Sequence, residues 1–280
     1  MAVIYLVAHA RWAPGRIASL SRLLEQLPSG RTEVFTSYHP EHACQWARRI
    51  YQAAAAIDGP VCILNDDVRI TSPEDIEACH LAAPDECLSL CCTNPNVPLP
   101  VDVEAHLRWL ETGEGEPWPE RSFWARAYHY SGPGVVLPRG AAESLLAFTA
   151  TLPWSFVSRT NEDNIANAWA WDRQRPFFYP LPSPVDHDPG IPSTLGYDDH
   201  PNRTAIAFGQ AERPPPKDPP FVELRWAPTQ TLRYQREVIR EDRKLCTFCL
   251  GREGKVGNKT DMLCIECLTG LTVTALRNTK

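Results

Sequence analysis

Four short stretches of the chain carry side chains able to hold a cation or move a proton. Asn65-Asp66-Asp67 follows the apolar run Val61-Cys62-Ile63-Leu64 directly. At the C-terminal end of a strand in a parallel α/β sheet, carboxylates face the ligand crevice. Two charges placed there call for a compensating cation or for solvent. An oxygen-binding divalent ion, Mn2+ or Mg2+, meets that need and bridges nucleotide phosphates. The same residues also suit a plain strand-to-turn junction, where Asn and Asp are favoured.

The second stretch, Ser131-Gly132-Pro133-Gly134, precedes Val135-Val136-Leu137. Its glycines let backbone come close to a ligand, or simply make a turn before a strand. The third, Thr160-Asn161-Glu162-Asp163, opens a helical pattern with Ile165, Ala168 and Trp169 on one side. Thr160 and Asp163 match a capping box, and early acids suit the helix dipole. A carboxylate at a crevice rim also serves as a general base toward an acceptor hydroxyl. The fourth is His187, between Asp186 and Asp188 in a proline-rich loop over 182–190. Flanking carboxylates would hold its ring in one tautomer and complete a metal site. A lone histidine is otherwise a solvated or core residue.

Near the C-terminus, Cys246-Thr247-Phe248-Cys249 and Cys264-Ile265-Glu266-Cys267 are separated by fourteen residues. Paired C-x-x-C knuckles at this distance indicate zinc, over a rival pair of disulfides that the lack of an export signal disfavours. Four thiolates make a closed tetrahedral, structural Zn2+ site, and the metal supplies folding energy that so small a unit lacks. Arg233, Arg236, Arg240, Arg243 and Lys244 precede the knuckles, and Arg252, Lys255 and Lys259 lie between them. This charge suits phosphate contacts, or an ordinary solvated face around a structural clip. The other cysteines, Cys44, Cys62, Cys79, Cys87, Cys91 and Cys92, sit in apolar or helical surroundings and read as reduced core thiols.

The elements that must hold these groups follow from hydrophobic pattern. Residues 3–8 and 61–64 are buried-strand runs, 33–36 and 87–92 are further strands, and 177–179 is another. Helical spacing recurs over 17–27 and over 43–57, and Ser72-Pro73-Glu74-Asp75 is a capped helix start. This alternation predicts an α/β layered fold with a mostly parallel sheet. Proline is abundant, 27 of 280 residues, which predicts rigid connections. The run Arg213-Pro-Pro-Pro-Lys-Asp-Pro-Pro220 begins a stiff linker or an arm hugging an edge. The expected organisation is a domain over 1–212, a linker or arm over 213–232, and a zinc module over 233–280. From 233 onward there are ten Lys/Arg and six Asp/Glu, against a net charge of −6 for the whole chain. The acidic total argues against a chain-wide nucleic-acid coat. No apolar run approaches the ~20 residues of a membrane helix, so no membrane partner is expected. The first apolar run reads as a strand and not an export signal, which places the protein in the cytoplasm, the host's if it is viral.

In this order the pieces resemble the GT-A fold glycosyltransferases, which pass a sugar from a nucleotide-sugar to an acceptor. That family has an acidic D-x-D-type motif after a strand, a glycine loop, an x-E-D motif opening a helix, and a C-terminal histidine. Here these are Asn65-Asp66-Asp67, Ser131-Gly132-Pro133-Gly134, Asn161-Glu162-Asp163 and His187, over roughly residues 1–200. The first motif reads N-D-D, so its first acidic position is shifted or replaced. The resemblance implies a Rossmann-type sheet and Mn2+ or Mg2+ held by Asp67 and His187. It implies Asp66 near the donor ribose or sugar, and Gly132 and Gly134 lining the sugar. Asp163, or Glu162, would be the base of an inverting displacement; in a retaining reaction Asp163 would position the acceptor. Ala8 in the first strand would contact the donor, the stretch His9-Ala10-Arg11 after it would lie near the nucleotide base, and Arg11 or Arg16 would reach the phosphates. The donor expected is UDP-glucose. The basic zinc module suggests DNA with hydroxymethylated pyrimidines as acceptor, as in bacterial viruses. Transfer to a protein or glycan, with a purely structural zinc, is one alternative. A nucleic-acid-binding zinc protein without catalysis is the other.

Overall fold

The computed structural model of the chain describes residues 2–40, 43–92, 123–127, 132–152, 162–192, 205, 208, 221–223, 256–257 and 262–263. The strands are β1 (Ile4–Ala10), β2 (Thr32–Ser37), β3 (Val61–Asn65), β4 (Val68–Ile70), β5 (Cys87–Ser89), β6 (Phe123–Ala127), β7 (Gly134–Leu137), β8 (Phe177–Leu181), β9 (Val185–His187), β10 (Phe221–Glu223), β11 (Val256–Gly257) and β12 (Met262–Leu263). The helices are α1 (Arg16–Gln26), α2 (Ala43–Ala55), α3 (Pro73–Ala82), α4 (Ala141–Thr149) and α5 (Glu162–Asp172).

Eight strands form one sheet in the order β10-β6-β8-β5-β7-β3-β1-β2. Alternate residues of its strands feed two separate cores, because successive side chains of a strand point to opposite faces. On one face Leu6, Ala8, Val61, Ile63, Val135, Leu137, Phe177 and Tyr179 pack with α2, α4 and α5 through Ile50, Leu145, Ile165 and Trp169. On the other, Tyr5, Val7, Cys62, Leu64, Val136 and Phe178 pack with α1 and α3 through Leu23, Ile76 and Cys79. The result is an α/β fold of three layers, whose central strands are apolar on both faces. Burial pushes the Cys79 and Cys87 thiols up to about 12, so both stay protonated in the core.

Local chemistry explains the helix starts. Ser72 Oγ accepts from the Asp75 backbone N–H at 3.1 Å, with Pro73 in the first turn. Gly15 precedes α1 at φ 75°, where a side chain would be strained.

The sheet is mixed. Pairs β1–β2, β1–β3, β5–β8 and β6–β10 are parallel. Strand β7 runs against both of its neighbours, β3 and β5, and β6 runs against β8. The reversal at β7 has a direct consequence for the acidic motifs. It turns the start of β7, with Gly132 and Gly134, to the edge where β1, β3 and β5 end; Gly134 lies opposite Leu64.

One expectation changes. His187 is not in a loop: β9 pairs antiparallel with β4, Val68 opposite His187. The proline spacing hid this strand, which is only three residues long. Phe221–Glu223, inside the segment read as linker or arm, joins the sheet edge parallel to β6. Cys246, Cys249, Cys264 and Cys267 lie outside the described residues, as do Thr160, Asn161, Ser131 and the basic residues 233–244; between the knuckles, β11 and β12 form an antiparallel pair. No helix among the described residues is long and apolar enough to cross a membrane.

Candidate functional site

The chemistry-bearing groups collect at the edge where β1 and β3 end. Asn65 closes β3, and its backbone N–H donates to Pro133 O at 3.0 Å while its side-chain amide donates to Gly132 O at 3.3 Å. These bonds seat the glycine turn against the acidic turn. The Asp188 N–H donates to Asp67 O at 2.7 Å and so ties the end of β9 to the same turn.

Asp66 and Asp67, adjacent in sequence, have different surroundings. Asp66 is 1% exposed. Its Oδ1 accepts from Arg16 Nη1 at 2.5 Å, and its Oδ2 accepts from His9 Nδ1 at 2.7 Å and from the Ala10 N–H at 2.9 Å. A carboxylate only accepts, so His9 carries a proton on Nδ1. Asp66 is therefore an internal anchor joining β1, β3 and α1. The expected contact with a donor ribose or sugar does not fit a carboxylate turned inward on three donors. Asp67 instead turns its Oδ2 toward β9, 3.0 Å from Arg16 Nη2 and 3.9 Å from His187 Nδ1.

The second acidic pair approaches from α5. Asp163 rests against Gly132 so closely that a Cβ built on that glycine would stand 2.9 Å from Asp163 Oδ1. The Gly132 N–H donates to the Asp163 carboxylate, which pulls its pKa down. Burial pushes it up further than that, and Asp163 ends well above the usual carboxylate range. Glu162 is also raised, by burial first and then by the charges of Asp163 and Asp67. Asp67 thus lies within electrostatic reach of Glu162, and the two acidic motifs share one region.

Other expected donor contacts separate. Ala8 is 3% exposed and its side chain belongs to the core cluster that includes α2, so it presents no side chain to a ligand. Gly134 faces inward as well: a Cβ there would meet Leu64 and Val185 side chains at 3.1–3.4 Å. It permits close packing of β7 and does not line the crevice. Arg16 is 3% exposed and tied to Asp66, Asp67 and Pro192 O, not held out toward phosphates. Arg11 is exposed, its guanidinium 5.4 Å from the centre of the Tyr38 ring, where β1 and β2 end. The carboxylates flanking His187 have other work. Asp186, 1% exposed, pairs with Arg69 and accepts from the His187 and Ala205 backbone N–H groups at 2.9 and 2.7 Å. Asp188 pairs with Arg22.

His9, expected near the nucleotide base, is instead 4% exposed with its ring turned onto Asp66; its role as Asp66's partner, and that of Asp186 as a brace for β9, are not read from the sequence. Both depend on long-range pairing. The one local signal was period-two alternation in Val185-Asp186-His187, which puts Asp186 and His187 on opposite sides.

Whether these residues suit a divalent ion can be judged from their donor set. Two metal–ligand bonds of ~2.1 Å span at most about 4.2 Å. The 3.9 Å between Asp67 Oδ2 and His187 Nδ1 is within that span and too long for a hydrogen bond. Among the described residues no group of three or more His, Cys, Asp and Glu could hold a metal alone. One carboxylate and one imidazole fit an ion that takes its remaining ligands from substrate phosphates and water.

No protein-family model matches the chain, and no curated protein matches it in sequence. Among solved structures, it is similar to the crystal structure of a glycosyltransferase involved in the glycosylation of the major capsid of PBCV-1. That similarity covers 72% of this chain and 92% of the other, at 13% identity and a TM-score of 0.32.

Proposed function

We propose that this chain is a glycosyltransferase of GT-A type that uses Mn2+ or Mg2+ and moves a sugar from a nucleoside-diphosphate sugar, UDP-glucose first among them, to an acceptor hydroxyl. The observation that supports this reading is the meeting, at one sheet edge, of Asp67 with His187 and of Asp163 with Gly132. A metal-ligand pair beside a carboxylate of raised pKa suits the displacement of a diphosphate by a hydroxyl.

Asp67 and His187 would hold the ion, which when bound offsets the charge that develops on the departing diphosphate. Asp163 would accept the acceptor's proton as the acceptor oxygen bonds to the anomeric carbon and the carbon–oxygen bond to the diphosphate breaks. The outcome is inversion at that carbon. A carboxylate raised toward neutrality is a better base at working pH than an ordinary one. Glu162, itself raised by burial and by the Asp163 charge, is the alternative base. Arg11 and the exposed Tyr38 stand at the rim where the nucleotide would approach. His9, Asp66 and Arg16 hold the β1 and β3 ends together beneath it.

The acceptor in this reading is DNA carrying hydroxymethylated pyrimidines, contacted by the basic zinc module at 233–280, with Cys246, Cys249, Cys264 and Cys267 as the zinc ligands. Hydroxymethylated DNA is incubated with a panel of nucleotide-sugars and Mn2+, digested, and its nucleosides weighed by mass spectrometry. A hexose mass on the modified nucleoside, lost in Asp67→Ala, is the expected result. Donor hydrolysis with no DNA product moves the acceptor to a protein or glycan. Neither donor binding nor hydrolysis leaves a nucleic-acid-binding protein. Deleting 233–280 should lower DNA affinity at low salt; unchanged affinity removes the tail from the proposal.

A further inference from the structure

The proposed function sets a divalent ion between Asp67 and His187, and the role assigned here to Arg16 rests on that reading. The Asp67 oxygen that faces His187 already faces a permanent cation. Arg16 Nη2 is 3.0 Å from that same Oδ2. Arg16 cannot simply swing away. It is the first residue of α1, it is buried, and it is held by Asp66 Oδ1 at 2.5 Å and by Pro192 O at 3.2 Å. An ion bound to Asp67 would therefore sit within a few ångströms of a guanidinium that cannot lose its proton.

We infer that Arg16 is a built-in competitor for the metal, keeping the Asp67–His187 site weak for a free divalent cation and making it strong only when a nucleoside diphosphate binds with the ion. The physics is mutual repulsion. Two positive centres sharing one carboxylate oxygen oppose each other strongly in a partly buried place. The diphosphate brings the negative charge that makes both tolerable. Metal and nucleotide then favour each other's binding by the same factor, as linkage requires. Such a device would keep the site from being filled by free ions that lead nowhere.

The test is calorimetric titration of the full chain with Mn2+, without and with saturating UDP, and needs no turnover. Wild type is expected to bind Mn2+ weakly alone and about tenfold tighter or more with UDP. Arg16→Met should bind Mn2+ alone about tenfold tighter than wild type, with the UDP effect reduced. Arg16→Lys, which keeps the charge, should retain the wild-type pattern. Removing Arg16 leaves Asp66 buried without its main partner, so the double variant Asp66→Asn/Arg16→Met serves if the single one does not fold. Met variants that bind Mn2+ no tighter than wild type overturn the inference while leaving the transferase reading in place. A lysine variant that behaves like the methionine one also overturns it, because charge would not be the cause. Wild type that fails to bind Mn2+ even with UDP overturns the metal-dependent reading and this inference together.

Discussion

Gly132→Ala separates function from stability at the proposed base. The added Cβ would stand 2.9 Å from Asp163 Oδ1 and 3.3 Å from Oδ2, where ordinary contact begins at 3.4 Å. The carboxylate must therefore retreat by about 0.5 Å, the difference between 3.4 and 2.9 Å. What yields is the tip of a side chain and not backbone, so the fold should lose only about 1 kcal/mol. In a chain of this size that is about 2–4 °C in melting temperature. The chemistry should suffer more. A 1 Å misplacement costs ~10²-fold in rate, so half of that predicts about a tenfold fall in kcat. The retreat also weakens the Gly132 N–H bond that holds the Asp163 pKa down. The acid limb of the pH–rate profile should then shift to higher pH. Steady-state transfer or donor hydrolysis from pH 5 to 9, beside thermal melts, reads all three quantities. Wild-type kcat with an unmoved profile would refute the contact between Gly132 and a working Asp163. Collapse of the fold would refute the claim that the side chain yields cheaply.

The same geometry makes three further variants informative. Gly134→Ala should do the reverse: its Cβ would crowd Leu64 and Val185 inside the core, costing about 1–3 kcal/mol by urea unfolding with little change in kcat per folded molecule. Asp163→Asn should keep the fold and lose ~10²–10⁴-fold in kcat. It should also melt higher than wild type at alkaline pH. A carboxyl group whose pKa rises on folding binds its proton more tightly in the folded chain. Stability therefore falls as pH climbs from the ordinary value near 4 through the raised one, and the melting difference should vanish near pH 4. Asp186→Ala strips the acceptor from Arg69 and from the His187 and Ala205 N–H groups. Arg69 is partly exposed and can resolvate, so the loss is about 2–4 kcal/mol, chiefly from the two amides. Denaturant unfolding measures it, and Mn2+ affinity in the presence of UDP should weaken because β9 carries His187.

The layered fold was legible because its signals are local. The run of Val61-Cys62-Ile63-Leu64, the helical spacing of Ala47, Ile50 and Ala54, and the Ser72 cap are each read within a dozen residues and correspond to β3, α2 and α3. The direction of β7 was not legible. A four-residue apolar strand has the same pattern in either direction, and its pairing with β3 is decided by long-range packing. The same holds for β4 and β9, which have too few residues to show a period.

At the candidate site, sequence alone selected which residues have the right chemistry: two adjacent aspartates after a strand, an acidic pair opening a helix, a histidine, and glycines before a strand. Residue type and spacing along the chain are enough for that. It could not tell that Asp66 turns inward on Arg16 and His9 while Asp67 turns to His187, nor that Gly132 makes room for a carboxylate while Gly134 makes room for the core. Neighbouring residues with the same side chain acquire different roles only when distant segments supply their partners. Charge pairing and close packing act through space, and the tertiary structure alone sets which groups meet.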